Sequence, residues 1–258
     1  MTKEQLTTYT VPLEDTVKGE MNMSIKKMSK EEYLNKVKEI DTTKEAPKQL
    51  EDTNFLTVAK ERRSVRQYDP EFNMDKSEVL EILEAATLAP SSSNLQPWRF
   101  LVIEDQKEKE RLLPIANNQQ QIVDASVVIA VLGDRDAYKN ADRIYSAIAE
   151  KGRMPEDVKD MYVNSILDGY GSFSKERLAK IAHIDGGLVS MQLMLAAKAK
   201  GYDTVPMGGY DEIKFKKEFN VPENYEAIML ISLGKGAKAG FEKTRLPLDD
   251  LINWNRFE

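Results

Sequence analysis

Two groups of cations stand out among the residues whose types and spacing suit chemistry. In Arg62-Arg63-Ser64-Val65-Arg66, three guanidinium groups and a hydroxyl fall within five residues. That set suits a phosphate or another planar anion, because a guanidinium donates in a fixed, bidentate fork. Far downstream, Glu242-Lys243-Thr244-Arg245-Leu246-Pro247 carries a second basic pair, Lys243 and Arg245. Each group equally suits a solvated helix end, where cations complement the dipole. Only the fold can bring the two together.

Three further segments carry polar or glycine-rich chemistry. Ala89-Pro90-Ser91-Ser92-Ser93-Asn94-Leu95-Gln96-Pro97-Trp98 sets three hydroxyls and two amides between prolines and ends on an aromatic ring. Its backbone amides and small polar side chains suit the lining of a flat heterocycle, and a turn-rich connection is the alternative. In Val205-Pro206-Met207-Gly208-Gly209-Tyr210-Asp211 the two glycines would let backbone approach a ligand face, or serve a tight turn. Gly234-Lys235-Gly236-Ala237-Lys238-Ala239 fits the loose dinucleotide pattern GxGxxG/A after a predicted strand. The chain then runs on through Gly240 and Phe241 to Pro247 without helical period, so no helix N-terminus faces a pyrophosphate, and the segment reads as a strand exit.

Missing residues narrow the chemistry. With no cysteine, a disulfide scaffold, an iron–sulfur cluster, a thiolate zinc site and a cysteine nucleophile are excluded. The single histidine, His183, near Ile181 and Ile184, reads as a structural or surface helix residue without a catalytic role. A chain of 258 residues, 41% apolar and 31% charged, with net charge −6, fits one soluble globular domain or at most two small ones. The acidic balance argues against general nucleic-acid binding. The longest apolar run, residues 127 to 132, falls far short of the roughly 18 residues that span a bilayer. The first 25 residues hold no apolar signal core, so the expected location is the cytoplasm.

The elements that must position these residues follow from periodicity. Residues 1 to 50 read as a polar extension with one short helix over 29 to 40. Asn54 caps a predicted helix bearing Phe55, Val58 and Ala59, which delivers the arginines at or just past its C-terminal end. Asp75 and Glu78 have capping-box spacing ahead of Val79, Ile82, Leu83 and Ala86, and that helix stops near Pro90. Strands are predicted over residues 98 to 103, 127 to 132 and 227 to 233. A long helix over 175 to 200 carries Ile181, Ile184, Leu188, Met191 and Leu195, with Gly186 and Gly187 implying close approach of another backbone or a ligand.

Taken together and in this order, RRSVR, APSSSNLQPW, NNQQQIVDAS, VPMGGYD and EKTRLP resemble the FMN-dependent nitroreductase family over residues 54 to 248. The resemblance implies an α+β sandwich, a central, mostly antiparallel sheet flanked by helices, formed by residues 51 to 258. It also implies a homodimer with two FMN sites at the subunit interface. Arg62 and Ser64 resemble the family's phosphate and ribityl ligands, with Arg63 in the same set; Arg66 resembles the cation beside the flavin pyrimidine. Lys243 and Arg245 match its C-terminal phosphate pair. Pro90, Ser91, Ser92 and Asn94 resemble the loop that reaches the partner's flavin. Asn118 and Gln121 match amide contacts to ring and ribityl, while Pro206, Met207, Gly208 and Gly209 resemble the segment along the flavin near N5. Gly208 stands where the best-known branch has a glutamate, and resembles another branch.

The implied activity is hydride transfer from NADH or NADPH through flavin N5 to a nitroaromatic, quinone or similar small acceptor, with ping-pong kinetics. Residues 134 to 173, the family's most variable region, would shape the acceptor pocket. A flavin-binding redox sensor without turnover, and a related enzyme such as a reductive dehalogenase, are the alternatives.

Overall fold

The computed structural model describes residues 46, 50, 51 and 53 to 257. The helix expected over 29 to 40, and nearly all of the expected extension, lie outside the described residues.

The apolar run 127 to 132 becomes strand β2 (Val127–Asp134), buried along its whole length. Alternating side chains explain why no polar residue interrupts it. Val128, Ala130 and Leu132 enter a core layer with Leu112, Ile122 and Phe215, whereas Val127, Ile129 and Val131 enter the opposite layer with Ile82, Val189 and Leu193. Both faces of the sheet are therefore covered. β1 (Trp98–Ile103) pairs antiparallel with β2 from Trp98↔Gly133 to Ile103↔Val128. On the other side of β2 lies β4 (Tyr225–Gly234), antiparallel and irregular between Val131 and Leu132. The expected strands are present and the last two run longer than expected.

A further strand, β3 (Asp203–Met207), completes the order β1-β2-β4-β3. It pairs antiparallel with β4 from Asp203↔Gly234 to Met207↔Leu230. In the sequence this stretch is a short segment, 201 to 204, followed by a glycine pair that suits a turn or a ligand face. β3 tolerates Pro206 at the edge of the sheet, where among the described residues the outer side carries only the isolated bridge Ser64↔Thr204.

Helices cover both faces. α1 (Phe55–Glu61) is capped by Asn54, whose side chain accepts from the Thr57 amide at 3.1 Å. α2 (Lys76–Ala86) begins after Asp75, but the expected capping box does not form. The Tyr202 hydroxyl donates to the Glu78 carboxylate instead, and burial together with that acidic partner pushes Tyr202 up to about 12. α3 (Gln106–Ile115) and α4 (Gln121–Asp124) lie between β1 and β2, and α5 (Ala141–Ala149) and α6 (Glu156–Gly171) follow β2. α8 (Glu212–Glu218) joins β3 to β4.

The long helix α7 (Lys175–Ala199) packs Ala182, Val189, Leu193 and Ala197 inward. A Cβ on Gly186 would lie 2.2 Å from the Ile228 side chain, so what approaches closely there is a β4 side chain rather than the backbone or ligand expected. Gly187 faces open space. The apolar series read in the sequence forms the opposite face, where Ile184, Leu188 and Met191 are 55%, 43% and 40% exposed. His183 is exposed, its ring Nδ1 2.8 Å from the Ala179 carbonyl, as a surface helix residue should be.

Candidate functional site

The two basic groups converge because the chain after β4 runs beside the chain after α1. The Val65 amide donates to the Thr204 carbonyl on the outer edge of β3 at 3.0 Å. Further on, the Asp69 amide donates to the Lys235 carbonyl and the Ala237 amide to the Gln67 carbonyl, both at 2.9 Å. The GxGxxG-like segment is thus an extended tail tied to residues 67 to 69, with no helix behind it. Gly240 lies against Ser64, and Arg63 Nη1 donates to the Gly240 carbonyl at 3.2 Å. Lys243 Nζ then donates to the carbonyls of Ala59 and, at 2.8 Å, Lys60, closing the C-terminal end of α1.

The result is a crowd of cations. Burial lowers the pKa of Arg62, and Arg245 lowers it further. Burial also lowers Lys243, with Arg62 and Arg245 adding to the effect. Among the described residues none of the three forms a salt bridge. The Nε of half-buried Arg62 is a buried donor without a hydrogen-bond partner among the described residues. Such a donor costs free energy until an acceptor meets it. Uncompensated charge and an unused donor together fit a phosphate dianion. Arg66 is exposed nearby, with Nη1 donating to the Ser64 carbonyl at 3.3 Å.

At the far end of β3 the amide-rich segment meets the glycine pair. Asn117 and Asn118 both have φ of 56°, a left-handed conformation that asparagine tolerates better than most residues. Asn117 Nδ2 and Gln119 Nε2 both donate to the Gly209 carbonyl, at 2.8 and 3.1 Å. Gln121 is buried and donates to Gln119 Oε1 at 2.9 Å and to the sulfur of buried Met207 at 3.4 Å. Asn118 and Pro206 are half-buried, Gly208 and Gly209 exposed. A Cβ on Gly208 would meet nothing within 4 Å. The sequence reading named Asn118 and Gln121 but not Asn117 and Gln119, the residues that tie the two segments together.

The serine-rich loop forms a third group. Ser93, Asn94 and Gln96 adopt left-handed φ of 47°, 52° and 49°. Asp185 of α7 holds this conformation: the Ser92 amide donates to its two oxygens at 3.1 and 3.0 Å, and Ser92 Oγ donates to Oδ1 at 3.0 Å. The Tyr145 hydroxyl donates to the Ser93 carbonyl at 3.0 Å, and Ser91 Oγ accepts from the Gln96 amide at 3.0 Å. Burial raises the Asp185 pKa, while the Ser92 bonds oppose the rise. Asp185 escaped the sequence reading, although a carboxylate beside Gly186 in a helix otherwise inward-facing at that position was the available signal. Pro90 and Asn94 are exposed, Ser91 and Ser92 half-buried. Among the described residues this loop shares no hydrogen bond or ion pair with Arg62, Lys243 or Arg245.

This antiparallel sheet between helical layers, with paired basic segments at its edge, defines an α+β sandwich with an anion-suited cleft at the sheet edge. A family model, "Nitroreductase family", matches residues 59–235. The chain belongs to the nitroreductase family and is an oxidoreductase. It is 44% identical over 207 residues to the Bacillus subtilis (strain 168) protein named "Putative NAD(P)H nitroreductase YdgI", covering 80% of this chain and 99% of that one. A crystal structure from Exiguobacterium sibiricum 255-15, described as a "putative nitroreductase in complex with FMN", is similar with a TM-score of 0.76 and 44% identity, over 81% of this chain and 100% of that one. The "CLA biosynthesis enone reductase" of Lactiplantibacillus plantarum is 30% identical over 204 residues, 78% of this chain and 94% of that one. Among the described residues no helix is long and apolar enough to cross a membrane.

Proposed function

We propose that the chain binds FMN and uses NADH or NADPH to reduce a small acceptor such as a nitroaromatic or a quinone. The observation that carries this reading is the meeting of Arg62, Lys243 and Arg245 around the unpartnered Arg62 Nε. Those three would neutralise the FMN phosphate, with Arg63 and Ser64 beside them. Arg66 would hold positive charge at the pyrimidine edge, where negative charge develops on reduction. Asn118 and Gln121 would supply amide contacts, and the backbone from Pro206 through Met207 and Gly208 to Gly209 would lie along the ring. When bound, FMN supplies hydride chemistry at N5, so one site serves a nicotinamide donor and then an acceptor in ping-pong order.

A homodimer belongs to this reading. The exposed face of α7 bearing Ile184, Leu188 and Met191 supports it, as does the C-terminal segment, whose Leu246, Leu248, Leu251 and Trp254 are exposed. Pro90, Ser91, Ser92 and Asn94 would then serve the partner's flavin, which fits the absence, among the described residues, of any hydrogen bond or ion pair between them and Arg62, Lys243 or Arg245. Residues 51 to 258 would be the FMN-binding domain, residues 1 to 50 an extension, and the setting cytoplasmic. The test is the visible spectrum of the purified protein before and after anaerobic addition of NADH or NADPH. Flavin bands that bleach with either nicotinamide support the reductase; flavin that stays oxidised with both overturns it in favour of a non-turnover binder.

A further inference from the structure

Helix α5 has two working faces. Ala141, Tyr145 and Ala149 are buried, and Tyr145 ties the helix to the Ser93 carbonyl. The other face, at positions 140, 143, 144, 147, 148 and 151, follows the 3-and-4 spacing of one helix side. It lines an open groove of about 630 Å³ that Asn94, Leu95 and Gln96 of the serine-rich loop also line. That volume lies within the usual range for small-molecule sites, roughly 300–1,000 Å³.

The lining is cationic and apolar at once. Arg143 and Lys151 project from the α5 side, and the chain reverses at Gly152, φ +67°, where the Arg153 amide donates to the Ile148 carbonyl at 3.2 Å and brings Arg153 into the same lining. Arg143, Lys151 and Arg153 form no salt bridge among the described residues. Arg99, also in the lining, differs: it donates to Asp134 at 3.1 Å and to the carbonyls of Gln96 and Trp98, so its charge is already answered. The lining also holds Ile144 and Ile148, partly buried against the apolar cluster that contains Leu95. Three unanswered cations gathered on a chain of net charge −6 create a local field that selects anions.

We propose that this groove binds an organic anion, with its charged head among Arg143, Lys151 and Arg153 and its apolar body along Ile144 and Ile148, and that this anion is the acceptor. The acceptor assignment rests on the proposed function, because the groove shares Asn94 with the loop assigned to flavin. The anion binding itself does not rest on it. A carboxylate and the 2′-phosphate of NADPH present the same chemistry to these cations, so the test must separate them.

The test uses 4-nitrobenzoate and the neutral 4-nitrobenzyl alcohol on the full chain as purified. It compares the wild type with a variant carrying Arg143→Gln, Lys151→Gln and Arg153→Gln, whose fold is checked by circular dichroism. Over one turnover NADH or NADPH is oxidised by two electrons, and those two electrons, with the proton of the hydride and one from solvent, convert the nitro group to the nitroso compound and release water. Calorimetric titration is expected to show 4-nitrobenzoate binding to the wild type and at least about tenfold weaker binding to the variant, the loss expected for charge-assisted hydrogen bonds. The ratio of kcat/KM for 4-nitrobenzoate over the alcohol should fall by a similar factor. Equal binding by wild type and variant overturns the proposal, as does an unchanged ratio. A loss confined to NADPH kinetics, with NADH unaffected, assigns the cations to the nicotinamide phosphate and overturns the acceptor assignment. Calorimetric binding lost in the variant of a protein that never bleaches supports the groove and contradicts only the reductase.

Discussion

A Cβ placed on Gly240 would stand 2.4 Å from the carbonyl oxygen of Ser64 and 2.9 Å from its carbonyl carbon. Both are backbone atoms, so neither can swing aside as a long side chain would. The tail that carries Lys243 and Arg245 is seated by this contact. Gly240→Ala should therefore push the tail off Ser64 at a cost of about 1–3 kcal/mol. Each kcal/mol lowers Tm by about 2–4 °C in a domain of this size. Thermal unfolding followed with flavin absorbance should show a lower Tm and lost flavin together; a variant that unfolds as the wild type does and keeps its flavin would show that the tail is not seated there.

Arg62, Lys243 and Arg245 repel one another until an anion arrives. Inorganic phosphate should accordingly raise the Tm of flavin-free protein above that in chloride of equal ionic strength, since any ligand of the folded state alone stabilises it. Arg62→Gln should remove that rise. Equal phosphate responses in both proteins would return these cations to an ordinary solvated surface.

The Asp185 carboxyl holds its proton to higher pH in the fold than its ordinary 3.8, because burial penalises the charged form more than the Ser92 bonds favour it. The sign follows: the stability this group contributes is fully present below 3.8 and is lost as pH rises through the raised folded value. Asp185→Asn cannot titrate, so its stability relative to wild type should grow more favourable as pH rises above 3.8 through the raised folded value. Denaturant unfolding at several pH values measures this; a constant difference would mean that Asp185 ionises normally. Asp185→Ala leaves the Ser92 amide and hydroxyl without their acceptor and should cost about 1–3 kcal/mol.

Legibility in the sequence depended on which residues answered to local rules. Residues 127 to 132 were readable as a buried strand because both sheet faces are covered, so every position had to be apolar. β3 was hidden because Pro206 and the following glycines signal a turn, and the proline is acceptable because no strand pairs with the outer edge of β3 among the described residues beyond the isolated bridge at Ser64 and Thr204. On α7 the large residues Ile184, Leu188 and Met191 drew attention to the outward face, while the sheet-facing side uses small residues such as Ala182 and Gly186 that carry little periodic signal. Adjacent amides are indistinguishable in a string; the left-handed turn at Asn117 and Asn118 decides which of them reaches Gly209. The meeting of Arg62 with Lys243 and Arg245 needed tertiary structure, although each group was visible by itself.

Leu188 sits at the centre of the exposed apolar face of α7. Leu188→Arg should turn a dimer into monomers and release FMN at the same time, because residues of the serine-rich loop would serve the partner's site. Sedimentation velocity recorded at both protein and flavin wavelengths checks this. A monomer retaining one FMN per chain would contradict a shared site.

The most direct measurement is a fluorescence titration of flavin-free protein with FMN and with riboflavin, which lacks the phosphate. If Arg62, Lys243 and Arg245 converge on that phosphate, FMN should bind at least about a hundredfold more tightly than riboflavin, the effect of two or more charge-assisted hydrogen bonds. Arg62→Gln should close most of that gap. Equal affinity for the two flavins in the wild type would contradict the account at its centre.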